Sequence, residues 1–259
     1  MLQRPPASNG GMSESLSFYL LLVVVFMLAG VVKGVTGMGL PTVAMGLLGS
    51  ALSPVAAASL LFVPTLVTNL WQIFAGPSVG SIIRRLWPMM LGVVVATMAG
   101  AALLVRADAR WSGLALGVAL IVYAVYSLVA PAFRVGADKE RWLSPLVGAI
   151  SGVVTGATGV FVMPAVPYLQ SLGFNRDELV QALGLAFTVS TLSLTTGLLV
   201  HGAFGMQQLG LSALAIVPAL LGMWLGQVIR GRISARAFRL CFLGFLFLLG
   251  TELALRALV

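Results

Sequence analysis

GVVKGVTGMGLP (30–41) lies inside one of the most apolar stretches of the chain, yet it holds a lysine, a threonine and four glycines. The surrounding run, 18–52, is too long for one simple membrane crossing, which takes about 20 residues, and GVTGMGLP interrupts its middle. A second run, 144–172, is interrupted in the same way by GATGVFVMP. GVVKGVTG (30–37) matches GVVTGATG (152–159) at six of eight positions, at an offset of 122. The same offset sets VTNL (67–70) over VSTL (189–192). With small gaps, Pro88 and Gly92 fall on Pro218 and Gly222, and Ala109 and Arg110 on Ala235 and Arg236. Recurrence in the same order marks two homologous halves.

Composition fixes the solvent around these halves. Hydrophobic residues make up 59% of the 259 and charged residues only 8%, which describes a membrane protein. Apolar runs at 18–33, 54–75, 86–105, 112–131, 144–170, 178–200, 208–229 and 237–255 predict an all-helical bundle, because helices satisfy their own backbone in lipid. The expected organisation is a disordered leader (1–17), a first repeat (18–131), a linker (132–143) and a second repeat (144–257). Each repeat opens with a broken or hairpin-like helix and continues with three spans.

Basic residues test the hairpin. Eight plain crossings would divide the fourteen Arg and Lys outside the apolar runs seven against seven. If both broken segments return to their own side, Arg84, Arg85, Arg134, Lys139, Arg141, Arg176, Arg230, Arg232, Arg236 and Arg239 share one face. Arg4, Arg106, Arg110 and Arg256 share the other. The positive-inside rule favours this ten-to-four split. Each half then crosses an odd number of times, so the halves are expected to be inverted relative to one another.

Interrupted helices at matching places in two halves point to a transporter with its binding site near the midplane. Free N–H groups and helix dipoles at such breaks suit an anion. The candidate residues are Gly34, Thr36, Gly37 and Gly39 in the first break and Gly156, Thr158 and Gly159 in the second. The two breaks are expected to face each other, with both threonines as hydroxyl donors. The glycines equally fit small-xxx-small helix packing. Lys33 costs about 3 kcal/mol at membrane depth, which an anion would offset, unless the side chain snorkels to an interface. Its counterpart is Thr155.

Helical spacing puts Thr65, Thr68, Asn69 and Gln72 on one face, and Thr188, Thr191 and Thr195 on another. These faces would line an anion path or bond neighbouring helices; Asn69, Gln72, Thr188 and Thr191 are taken as candidate ligands.

The chain resembles the TauE/SafE family of sulfite exporters and organosulfonate permeases, on the duplicated GVVKGVTGMGLP and GVVTGATGVFVMP segments and on PMMLG and PALLG. The resemblance spans about 18–257. It implies a multi-pass inner-membrane transporter or facilitator for a small sulfur-containing oxyanion such as sulfite, sulfoacetate or another organosulfonate. Export is the favoured direction; a scaffold or assembly subunit without transport is the alternative.

All seven carboxylates fall in the leader, in connections or near a span end. No catalytic constellation, metal site or cofactor is therefore expected, and the chain is not read as an enzyme. One cysteine, Cys241, excludes an internal disulfide. The net charge of +8 is explained by topology rather than by nucleic acid. The expected partners are the bilayer and a small anion, with a homodimer left open.

Overall fold

A computed structural model describes residues 9–130 and 133–258. Among them are eleven helices and no strand: α1 (Asn9–Thr36), α2 (Leu40–Ala51), α3 (Pro54–Phe74), α4 (Val79–Arg106), α5 (Ala109–Val129), α6 (Ala137–Thr158), α7 (Ala165–Ser171), α8 (Arg176–Val200), α9 (Met206–Leu214), α10 (Ile216–Arg230) and α11 (Ala235–Leu258). Seven helical segments are long and apolar enough to cross a membrane, and α9 with α10 supplies one of them.

Residues 1–8 lie outside the described residues, and α1 begins at Asn9. Helix α6 begins at Ala137, where Asp138 and Glu140 favour the first turn.

Glycine faces set the packing directions. A Cβ on Gly30 would touch Ala219 and Met223, and one on Gly34 would touch Met223 and Gln227, so α1 and α10 run parallel in close contact. Gly92 meets Pro145 and Ala149 while Gly100 meets Gly156, so α4 and α6 are also parallel. By contrast, α5 and α11 are antiparallel: Gly117 meets Gly250 and Ala254, and Arg239 donates to Ser127 O at 2.6 Å near the opposite end. Helices α3 and α8 are antiparallel too, with Gly184 against Gln72 and Gln181 against Gly76.

Both interrupted segments are hairpins. Gly39 abuts Phe242, Gly46 abuts Leu249, and Arg256 donates to Ser50 O at 2.9 Å. Helix α2 therefore runs beside α11 and back along α1. In the second half Val135 N donates to Ser171 O at 3.1 Å, and Ser144 Oγ sits 2.6 Å from Tyr168 Oη, so α7 returns toward the start of α6.

Helix α3 carries an internal proline, Pro64, which cannot donate to the Leu60 carbonyl one turn back. Ser212 of α9 repairs the gap: its Oγ donates to Leu60 O at 2.8 Å and accepts from Val63 N at 2.9 Å. Ser212→Ala should therefore leave the buried Leu60 carbonyl without that partner, at a cost of about 1–3 kcal/mol. A melting temperature equal to wild type in the same detergent would refute this.

Candidate functional site

Lys33 projects from the last turn of α1 into the centre of the bundle and is 2% exposed. Its Nζ donates to Thr68 Oγ1 at 3.0 Å and to Asn69 Oδ1. Thr68 is held as an acceptor because its own hydroxyl points back to Pro64 O at 2.7 Å. Lys33 therefore does not snorkel. Neither of the two ion pairs among the described residues, Arg85–Glu140 and Arg256–Glu252, includes it. An ammonium has three donors, and only two are engaged here.

The neighbours leave further donor capacity. Asn69 is fully buried, and its Nδ2 has no partner. Gln72 Nε2 donates to Gly37 O at 2.5 Å, tying the first break to α3, while its Oε1 has no partner. A positive charge without a carboxylate, beside an unfilled amide donor, favours an anion.

The breaks themselves are closed by a common local device. Thr36 Oγ1 donates to Val32 O (2.9 Å) and accepts from Met38 N (3.2 Å). Thr158 Oγ1 donates to Val154 O (2.7 Å) and accepts from Val160 N (3.2 Å). Both hydroxyls thus bond their own backbone. Gly37 (φ +80°), Gly39 (φ +97°) and Gly159 (φ +75°) adopt the left-handed turn that glycine permits.

Residues of both breaks come together beside α3: Pro41 of the first and Gly159 and Phe161 of the second line one small cavity with Thr65. Gly37 itself is bonded to Gln72, whereas Gly159 lies against Met45 and Ala58. The middle of α3 meets Lys33 at Thr68 and Asn69 and Thr155 at the cavity beside Thr65. Gly34 and Gly156 sit in helix contacts with Gly226 and Gly100, as the packing alternative requires.

On α8, Thr188 Oγ1 donates to Gly184 O at 2.7 Å within its own helix. Thr191 lines a cavity of about 20 Å³ together with Thr65, Thr155, Ser190 and Thr195. Thr155 and Ser190 were not among the expected ligands. The repeat offset carries the signal for both, since it maps Lys33 to Thr155 and Thr68 to Ser190. Gln181 is structural: its Nε2 donates to Ile73 O and Gly76 O, both at 2.7 Å, and its Oε1 accepts from Ser78 N at 3.1 Å.

A vestibule of about 610 Å³ opens at the end of the bundle that holds the α10–α11 turn. Arg176, Arg230 and Arg239 line it and no carboxylate does; it stops at Thr36 and Met38, one helical turn from Lys33.

The model of the sulfite exporter TauE/SafE family matches residues 22–253. The chain belongs to that family. No curated protein and no solved structure matches it. Membership makes this a membrane protein of a transporter family, in agreement with its apolar helices. TauE/SafE membership covers both hairpins and every residue of the Lys33 centre.

Proposed function

We propose that the chain exports a small sulfur-containing oxyanion, sulfite, sulfoacetate or another organosulfonate, and that the anion binds at Lys33 and Asn69. The observation that carries this reading is the buried Lys33 ammonium, bonded only to Thr68 and Asn69 and lacking any acidic partner.

The vestibule supplies the entry. Three arginines around an open cavity raise the local concentration of anions and speed their capture. Behind it, the strap 36–38, held by the Gln72–Gly37 bond, closes access to Lys33. Transport then requires that this bond release while the anion replaces Asn69 and Thr68 as partner of the ammonium.

Orientation follows from charge. The vestibule lies at the end that collects ten of the fourteen basic residues outside Lys33, which the positive-inside rule assigns to the cytoplasm. Inversion of the halves is supported by the antiparallel packing of the repeat equivalents α3 and α8 and by the parallel pairs α1 with α10 and α4 with α6. An inside-negative potential drives an anion outward by about 2.3 kcal/mol per charge per 100 mV, so export needs no buried carboxylate as proton relay.

Efflux from proteoliposomes loaded with labelled sulfite or sulfoacetate tests the reading. Wild type should release at least one of them faster than empty vesicles. Arg176→Gln/Arg230→Gln/Arg239→Gln should raise KM about tenfold at low salt, flatten its salt dependence and leave maximal turnover unchanged. Release no faster than from empty vesicles would leave the glycines with a packing role only.

A further inference from the structure

The repeat places unlike chemistry at one equivalent position. At the offset of 122, Lys33, Thr68 and Asn69 correspond to Thr155, Ser190 and Thr191. In the first half the lysine side chain fills the gap between the broken helix and its partner span. In the second, the shorter threonine leaves a small cavity of about 20 Å³. That is room for a single water-sized or ion-sized occupant.

Five of the twelve lining residues carry hydroxyls, and the other seven are apolar or glycine. Thr65 Oγ1 is buried and has no partner. Among the described residues, the hydroxyls of Ser190, Thr191 and Thr195 have none either. Thr155 Oγ1 donates to Ser151 O at 2.7 Å, which leaves its lone pairs turned away from its own helix, and Val160 O lies 3.4 Å from it. The cavity also lies at the C-terminal end of α6, where free carbonyls and the helix dipole favour a cation. No carboxylate, imidazole or thiol lines it. A divalent ion would thus keep its charge uncompensated, and a soft metal would find no ligand. A monovalent, oxygen-seeking cation fits this set.

We propose that this cavity is a sodium site, in which Na⁺ stands where the first half has the Lys33 ammonium. Na⁺ beside Thr65 and the ammonium beside Asn69 put two positive charges about one turn apart on α3, suited to a doubly charged oxyanion. Coupling of Na⁺ to anion movement rests on the transport reading; the binding of Na⁺ does not.

The purified full chain, melted in NaCl, KCl and choline chloride of equal ionic strength without added oxyanion, tests the site. Sodium should raise the melting temperature by a few degrees over choline, and saturably. Thr155→Val and Ser190→Ala should lose that increment, whereas Lys33→Met should keep it. Thr155→Lys supplies an ammonium in place of the ion and should melt alike in all three salts. Equal melting of wild type in the three salts, or an increment that survives in both Thr155→Val and Ser190→Ala, would overturn the proposal. A sodium increment without any response to oxyanions supports the site and counts against the transport reading alone.

Discussion

Lys33→Met is expected to abolish anion efflux while leaving thermal stability unchanged or raised. The ammonium is buried, lacks an acidic partner and opposes folding into lipid by about 3 kcal/mol on insertion scales. Methionine keeps most of the side-chain volume and removes that cost. It leaves Asn69 Oδ1 without its donor, a loss of about 1–3 kcal/mol that offsets part of the gain. The anion, however, loses the charge that replaces its hydration shell. Truncating one partner of a desolvated charge pair costs about 2–5 kcal/mol, so anion affinity should fall about 30-fold or more. A merely structural lysine predicts the reverse, with stability lost and transport kept in whatever protein folds. Melting curves and efflux rates on the same preparation separate the two.

Gly34→Val and Gly156→Val should prevent accumulation of folded protein. A Cβ on Gly34 would lie 2.2 Å from Met223 O and 2.9 Å from Gln227 N. One on Gly156 would lie 2.5–2.8 Å from three backbone atoms of Gly100 and Ala101. These are backbone atoms of a neighbouring helix and cannot swing aside, so whole helices must separate, at about 3 kcal/mol or more. Gly244→Ala is the contrast. A Cβ there meets nothing within 4 Å, and helical alanine is favoured over glycine by about 0.5–1 kcal/mol. Size-exclusion profiles should show loss of the monodisperse peak for both valine variants and an unchanged or larger peak for Gly244→Ala. Normal profiles for the valine variants would remove the close-packing account of α1 with α10 and of α4 with α6.

Much of the architecture was legible because in lipid the backbone must bond internally, so length and hydropathy leave few choices. The hairpins were legible for a second reason: only a returning segment gives the asymmetric distribution of arginines. Less legible was where the hydroxyls at the breaks point. Thr36 and Thr158 carry hydroxyls that look free in sequence, but each lies within reach of a carbonyl one turn back, and that local bond wins. Lys33 behaves differently because its stem is long enough to reach α3, two elements away. The stripe Thr65, Thr68, Asn69 and Gln72 was visible from spacing alone. On α8, spacing selected Thr188 and Thr191; of these Thr191 lines the cavity, together with Ser190, to which the repeat offset points.

Ligand-dependent melting of wild type against Lys33→Met, across sulfite, thiosulfate, sulfoacetate and taurine, bears most directly on the claim that Lys33 receives the anion. A ligand at about 100 times its Kd stabilises the native state by about 2.7 kcal/mol. At least one of these anions should raise the melting temperature of wild type and none should raise that of Lys33→Met. The same anion shifting both proteins equally would contradict the assignment.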